Sequence, residues 1–494
     1  MSRINTNIES LIARRALAVN NSSLNEALGR LSTGLKINSG RDDPAGLIAS
    51  ETLRASIRAI DQAVENAVRA DTIVSVAEGG LQEISALLIE LENLIDQSAN
   101  QAGLTDEEVA ANQIQIDSIL ASINRLADAT AFGDKKLLNG NLDFTTSGIN
   151  INEPTGSAVS HLDNVQVNAA KIPNGSYRQV NVNVVTPSQI AVISAVPAGT
   201  NGGGTLNGTT NGVTTLQVRG NLGTEILSFA SGTTTAQIAA AINASSQLTG
   251  VSATASAAGG GPDSLVLQST EFGSDQFVTV SIIQNTGAFV SQASQVTDYG
   301  TDGTVTVNGA NAVVKGLDVA VNTSSLALDM RLTSTLGSTT NGTTAFEITG
   351  GGAIFSISPT VGLAGQEALG IGEVSTAQLG NNDVGYLASL GTGLANDLSS
   401  KNFTTSQRIV RAAIDQVAKL RGRLGGFQKD TLSTTINSLR VAHENVTAAE
   451  SAIRDADFAV ETSNLTRAQI LVASSTQVLQ LANAQPQNVL ALLG

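Results

Sequence analysis

The chain has 494 residues, with 27 Lys+Arg against 42 Asp+Glu and a formal net charge of −15. That length predicts several domains rather than one core, and the acidic balance argues against nucleic acid and anionic membrane, because both repel it. Cysteine is absent, which removes disulfide and thiolate chemistry; Trp is also absent and aromatics make up only 3% of residues, fewer than an enzyme core or an aromatic stacking platform ordinarily uses.

The first residues, Met1-Ser2-Arg3-Ile4-Asn5-Thr6-Asn7, show no basic region followed by an apolar stretch, so no general secretory signal is predicted. No run reaches the roughly 18 apolar residues of a membrane span. Taken alone, these features predict a cytoplasmic protein, or one exported by a route that cleaves no leader.

Residues 1 to about 135 are predicted helical. Leu17, Leu24, Leu28, Leu31 and Leu35 recur with a period near 3.5, the spacing of a coiled-coil seam. Ile4, Ile8 and Leu11 extend it upstream, and Asn38-Ser39-Gly40 ends it. Asp43 is placed to cap a second helix with Pro44 at its first position. That helix carries Ile57, Ile60, Val64, Ala67, Val74, Leu81, Ile84, Leu88, Leu91 and Ile95, beyond the usual globular length. Asn100 to Gly103 breaks it, and a third helix follows with Val109, Ile116, Ile119, Ile123 and Leu126 on one face.

From about 140 to 400 the chain is rich in Gly, Thr, Ser, Asn and Val, and between Arg178 and Asp263 its only charges are Arg219 and Glu225. Val180, Val182 and Val184 alternate with polar residues, as do Leu326, Leu328, Met330 and Leu332, which predicts strands. Val305 and Val307 precede Asn308-Gly309, a hairpin turn signal. Thr233 to Gln247 is predicted as a short helix with Ile238 and Ile242 inward. The regular alternation argues against reading this low-complexity zone as disordered.

From about 403 the helical pattern returns, with Val417, Leu420, Leu424, Phe427, Ile436, Leu439, Val446 and Ile453 on three- and four-residue steps or their sums. After Asp455-Ala456-Asp457, Leu471, Val478, Leu481 and Leu490 are predicted to line a last helix that Pro486 interrupts. Long amphipathic helices cannot bury their stripes alone. The expected fold is therefore α+β, a long antiparallel, coiled-coil helical bundle built from both termini with an inserted β-rich outer region of one or two domains. The expected boundaries are 1–42 for an N-terminal arm and 43–175 for the first part of a helical core domain. The β-rich region takes 176–400, the second part of the core domain 401–454, and a C-terminal arm 455–494.

No catalytic constellation is found. A His-Glu-x-x-His zinc site needs two histidines four residues apart, but only His161 and His443 exist and Thr447 stands at the second place. His443 is expected on the bundle surface or an interface, and His161 in a loop. Asp42-Asp43 and Asp455/Asp457 lie at helix junctions, where acidic residues cap helix starts. Gly202 to Gly204 lacks the following Lys-Ser/Thr of a phosphate loop, and Gly259 to Gly261 before Pro262 is expected as a turn. Asn207-Gly208-Thr209 and Asn341-Gly342-Thr343 also read as turns.

Two segments carry a more specific signal. Arg30-Leu31-Ser32-Thr33-Gly34-Leu35-Lys36-Ile37-Asn38-Ser39-Gly40-Arg41-Asp42-Asp43-Pro44-Ala45-Gly46 resembles the N-terminal signature of bacterial flagellins. Ser463-Asn464-Leu465-Thr466-Arg467-Ala468-Gln469-Ile470-Leu471 resembles the C-terminal one, as does the end, Ala484 to Leu493. Asp42, Asp43, Pro44, Arg467 and Gln469 are the signature positions marked for the helix junctions. Within the middle, Leu216 to Val280 resembles a flagellin insertion module, placed at about 214–283.

The resemblance implies a secreted filament subunit for swimming motility, without cofactor or metal. It implies export through the flagellum's own channel without a cleaved signal peptide and assembly with copies of itself beneath a filament cap protein. Hook-associated junction proteins and an export chaperone on the C-terminal arm are further implied partners. Flagellins recognised by Toll-like receptor 5 carry a leucine- and arginine-rich segment where this chain has Leu87 to Asn100. In that register, Leu88, Leu94 and Gln97 fall within the receptor epitope, Glu90 and Glu92 fall where those flagellins have arginine, and Gln115 about where they have glutamate. Weak receptor binding is therefore expected. The competing readings are a hook–filament junction protein, which shares the terminal helices, and a filament-borne adhesin acting through the β-rich middle.

Overall fold

A computed structural model describes residues 6–100, 103–148, 161–173, 176–195, 213–256, 264–285, 295–382 and 384–493. Asn207-Gly208-Thr209, Gly202 to Gly204 and Gly259 to Gly261 lie outside the described residues, as does the side chain of Leu490. Long helices stand at both ends and strands between them, the α+β class expected.

Helix boundaries follow local chemistry. Helix α1 (Ile8–Thr33) starts at Asn7, whose Oδ1 accepts Ser10 N at 3.0 Å, and stops at Gly34, which has φ 73°; that left-handed cap suits glycine. Helix α2 (Pro44–Ser98) starts as expected, with Asp43 Oδ1 accepting Gly46 N at 2.9 Å. A Thr105/Glu108 capping box opens α3 (Asp106–Ala129), and a Thr234/Gln237 box opens α4 (Thr235–Ala244), which buries Ile238 and Ile242. Single turns form α5 (Ser246–Thr249) and α6 (Ser334–Gly337). Helix α7 (Phe403–Gly426) runs through a π-helical stretch, Phe427–Leu432, into α8 (Ser433–Arg454), and α9 (Phe458–Leu493) follows Asp455-Ala456-Asp457.

Two expectations about the helices are corrected. Pro486 does not interrupt α9, which continues through it. Proline already has a helical φ, and its cost is the missing N–H to the carbonyl four residues back. Here that carbonyl belongs to Ala482, and Asn7 Nδ2 donates to it at 2.8 Å, supplying the lost hydrogen bond from another part of the chain. Second, α2 is long and apolar enough by length and composition to cross a membrane. Its apolar residues instead form a periodic stripe, Leu81, Ile84, Leu88, Leu91 and Ile95, none more than 1% exposed. The flanking polar side chains tie it to α3 and α7, through Asn112 Nδ2 to Ser98 Oγ (3.0 Å), Arg411 to Glu92 (2.7 Å) and Arg421 to Glu78 (2.9 Å).

The chain divides into two compact units, one of Met1–Asp71, Ser356–Gly365 and Phe427–Gly494, the other of Thr72–Phe355 and Gln366–Gly426. In the second unit, a five-stranded sheet runs in the order Ala310–Asn311, Thr304–Val307, Arg178–Thr186, Gly342–Gly351, Phe144–Ser147. A four-stranded sheet runs Val313–Lys315, Asp318–Asn322, Leu326–Leu332, Leu162–Ala170. The two share one core in which Val180, Val182 and Val184 from the first sheet meet Leu326, Leu328, Met330 and Leu332 from the second. Each such residue contributes about 1.5–3 kcal/mol of burial, and a one-residue slip would turn the whole set to solvent. Asn308 (φ 49°) and Gly309 (φ 81°) make the expected hairpin turn.

Within the same unit, an inserted module pairs Gln295–Tyr299, Phe277–Asn285, Thr214–Gly220 and Thr224–Phe229 in one sheet. Val192–Ala195, Ser264–Ser269 and Val251–Ser256 form a second, and α4 packs into their common core. The chain enters and leaves the module at a tight junction. Gln189 and Thr301 exchange both backbone hydrogen bonds (2.8 and 3.1 Å), and Gly273 N donates to Gln189 O at 3.2 Å. Asp302 accepts from Gly316 N (2.7 Å) and from both N and Oγ of Ser274. Partial burial pushes this carboxyl up, but the donors from Gly316 and Ser274 outweigh it and hold the pKa below the ordinary carboxylate value.

Candidate assembly interface

The signature residues build one hydrogen-bonded loop between α1 and α2, docked on the α8–α9 junction. Lys36 N donates to Arg454 O at 2.7 Å, Ala456 N to Gly34 O at 2.9 Å, and Leu35 bridges Asp455. Asp42 Oδ2 gathers Ser39 N (2.9 Å), Asn38 N (3.0 Å) and Ser39 Oγ (3.1 Å). These bonds, Ser39 N foremost, hold the Asp42 carboxyl below its usual range. Gly46 has no room for a side chain, since a Cβ there would stand 2.5 Å from Asp43 Oδ2 and 2.6 Å from the buried Ile37. Asp43 caps α2 as the sequence suggested, whereas Asp42 does not cap a helix: its carboxylate closes the preceding loop on the backbone of Asn38 and Ser39.

A carboxyl with a lowered folded pKa adds stability above its unfolded value near 3.8, and this is lost as pH falls through the folded pKa. Amide protection factors at Asn38 and Ser39 are therefore expected to hold down to about pH 4 and to fall as the pH drops further. In Asp42→Asn they start lower and change little over that range. Equal pH profiles in both proteins would contradict this role for Asp42.

The two arms lie antiparallel. Arg30 pairs with the buried Glu461 (3.2 Å), Asn20 Nδ2 donates to Ser475 Oγ (2.6 Å), and Ser10 Oγ donates to Asn483 Oδ1 (2.7 Å). On α1 the seam runs through Ala13, Leu17, Asn20, Leu24, Ala27 and Leu31, all buried or half-buried. Leu17, Leu24 and Leu31 thus fall where the spacing put them, and Leu35 is half-buried in the loop. Leu28 is 46% exposed and off the seam.

On α9 the seam runs through Ala468, Val472, Ser475, Leu479 and Ala482. This corrects the expected line of Leu471, Val478 and Leu481, which stand one residue aside and are 45, 53 and 64% exposed. The most buried positions of the seam are alanines, Ala13 and Ala27 on α1 and Ala468 and Ala482 on α9, with Val472 and Leu479 half-buried between them. Outside the seam, large side chains point to water: Ile8, Leu11, Ile12 and Val19 on α1, and Phe458, Val460 and Ile470 on α9. Arg467 and Gln469 are exposed beside them, with Arg467, Ile470 and Leu471 lining an open cleft. Large apolar side chains exposed along two paired helices point to an interaction surface.

Of the positions assigned to the receptor epitope, Leu88 and Leu94 belong to the buried stripe of α2, at 0 and 8% exposure, and cannot meet a partner. Glu90, Gln97 and Gln115 are exposed. Glu92 is half-buried and paired to Arg411. Among the described residues no group of three His, Cys, Asp or Glu could hold a metal ion. His443 Nε2 lies 3.1 Å from Asp61 Oδ1 on the bundle surface, and His161 lies in the expected loop, at a bend just before Leu162, where it is buried.

Comparison with known proteins bears on both ends and the middle. Residues 4–143 match the family described as the bacterial flagellin N-terminal helical region, 408–493 the bacterial flagellin C-terminal helical region, and 215–271 the flagellin hook IN motif. The chain is 28% identical to Flagellin D of Vibrio anguillarum over 493 residues and 29% identical to B-type flagellin of Pseudomonas aeruginosa over 543 aligned positions. In both cases 99% of each chain is covered. Among solved structures, FlgL of Xanthomonas campestris aligns over 80% of this chain and 98% of its own at 14% identity, with a TM-score of 0.27.

Proposed function

The chain belongs to the bacterial flagellins and is a structural, self-polymerising subunit of the extracellular flagellar filament; from that premise we propose how its parts divide the work. The arms 1–42 and 455–494 are the polymerisation elements, and 43–175 with 401–454 form the helical core domain. Residues 176–400 form the outer, solvent-facing region, with the module at about 214–283 inserted in it. The observation that carries this reading is the outward display of large apolar side chains on α1 and α9, outside the seam that joins the two helices. A monomer gains nothing from such a display, whereas neighbouring copies would bury it. Seeded assembly of the full-length chain, viewed by electron microscopy, tests this reading. Uniform tubes containing the chain are expected; monomers persisting beside competent seeds would count against it.

The same reading takes the cap protein, the hook-associated junction proteins and an export chaperone on the C-terminal arm as partners, with export through the flagellum's own channel. The family matches favour this subunit role over a junction protein or a separate adhesin. Signalling through Toll-like receptor 5 is proposed to be weak. Glu90 presents negative charge where receptor-binding relatives present arginine, and Glu92 is engaged by Arg411. Charge reversal in an interface costs several kcal/mol through repulsion and lost pairing. A receptor reporter assay is expected to need at least about tenfold more of this protein than of an arginine-bearing flagellin. Equal potency would remove the proposal.

A further inference from the structure

The inserted module carries a face that filament assembly does not explain. Its four-stranded sheet buries one side against α4 and the second sheet. The other side presents an aromatic pair at one end, Phe277 and Tyr299, directly opposite in register with ring centroids 6.1 Å apart. The next rung reads Thr297–Thr279–Arg219–Thr224 across all four strands. Tyr299 is 64% exposed. Arg219 sits over the Phe277 ring, its Cζ 5.5 Å from the ring centroid, and has no acidic partner among the described residues. It is the one charged side chain on these strands that faces outward on this side. Composition argued against an aromatic platform, yet two of the chain's few aromatic residues meet here.

We propose that this face binds an anionic, carboxylate-bearing glycan. The exposed Tyr299 ring offers flat apolar surface to the C–H face of a sugar ring, and the exposed Thr224 and Thr297 can each donate and accept hydrogen bonds, Thr297 beside the buried Thr279 to which it is bonded at 2.9 Å. Contact with the Phe277 ring restrains Arg219, and its fork is the cationic group on this face that would take a carboxylate. Charge complementarity selects an acidic polymer over a neutral one. The face is a plane, not a pocket, and small molecules favour concave sites; a plane suits an extended chain. The net charge of −15 makes general attraction to a polyanion unfavourable, so any retention reports a local site. Weak single sites would suffice in a polymer that repeats the face along its length, and this last step alone rests on the filament reading.

The test is electrophoresis of the full-length protein through gels containing hyaluronan, a uronic-acid polymer, or dextran, a neutral one. Retardation by hyaluronan and not by dextran is expected. Tyr299→Ala and Arg219→Gln, both at exposed side chains, are each expected to lose about tenfold or more in affinity. Tyr177→Ala, an exposed aromatic on another loop, is expected to bind as the parent does. Free passage through hyaluronan by both monomer and filament, equal retardation by dextran, or full binding by the two face variants would each overturn the proposal. Sedimentation after seeding is measured separately, so a chain that binds hyaluronan but does not polymerise upholds the glycan site and counts only against the filament reading.

Discussion

Removal of residues 1–40 is expected to abolish filament formation and to leave a folded, soluble chain, and removal of 456–494 is expected to do the same. Neither segment contributes to the unit formed by Thr72–Phe355 and Gln366–Gly426, so its cores remain complete. What is lost is the surface that has no use in a monomer. Five large apolar residues of α1, Ile8, Leu11, Ile12, Val19 and Leu28, are 46–60% exposed. At half of the usual 1.5–3 kcal/mol each, their burial between subunits is on the order of 5 kcal/mol. That is three to four powers of ten in association constant, roughly. Losing one arm also uncovers the seam of the other, which cannot hold a long helix alone. Electron microscopy and sedimentation check the assembly, and circular dichroism melting checks that the β-rich transition persists. Normal filaments from either truncated chain would refute this division of labour.

Gly300→Ala is expected to cost about 3 kcal/mol, the upper part of the range for overpacking. A Cβ at this position would lie 2.4 Å from Gly273 O and 2.7 Å from Gln189 O, both backbone atoms of the crossing that joins the inserted module. No rotamer change relieves a backbone clash, so the crossing itself has to open. Gly309 provides the contrast: it has φ 81° and nothing within 4 Å of its Cβ position. Gly309→Ala therefore suffers conformational strain alone, about 1 kcal/mol. Urea unfolding of the two variants separates the cases, and hydrogen exchange locates the Gly300 effect at Gln189, Gly273 and Thr301. Equal losses in both would show that the junction yields, and that its close packing does not hold the module.

Much of this architecture was legible in the sequence where its period was strict and its residues large. The valines at 180, 182 and 184 and the run from Leu326 to Leu332 declared strands because each alternate residue enters one core. Asn308-Gly309 declared its turn because few other residues accept positive φ. The α9 seam was illegible because Ala468, Ser475 and Ala482 carry little hydropathy signal, while the larger Leu471, Val478 and Leu481 face away. Leu88 and Leu94 were assigned to a surface by register with relatives, although the period of α2 already placed them with Leu81 and Leu91. Pro486 was read as a break because its rescue comes from Asn7, 479 residues away in sequence (486 − 7), which no local window contains.

The polar contacts of the arms have a consequence for alignment. Leu17, Leu24 and Leu31 on α1 and Val472 and Leu479 on α9 recur every seven residues, so these apolar seam residues alone cannot choose between alignments one heptad apart. The polar rungs can. Shifting α9 by one heptad would separate Asn20 from Ser475 and Arg30 from Glu461, and would leave the Ala482 carbonyl without a donor, because Pro486 has none to offer. Asn7 therefore acts as a key cut for one lock: its oxygen starts α1 while its amide recognises the single carbonyl that the proline has vacated. Two arms that enter a growing polymer separately would click into one alignment out of several nearly equivalent ones, with proline serving as the tooth.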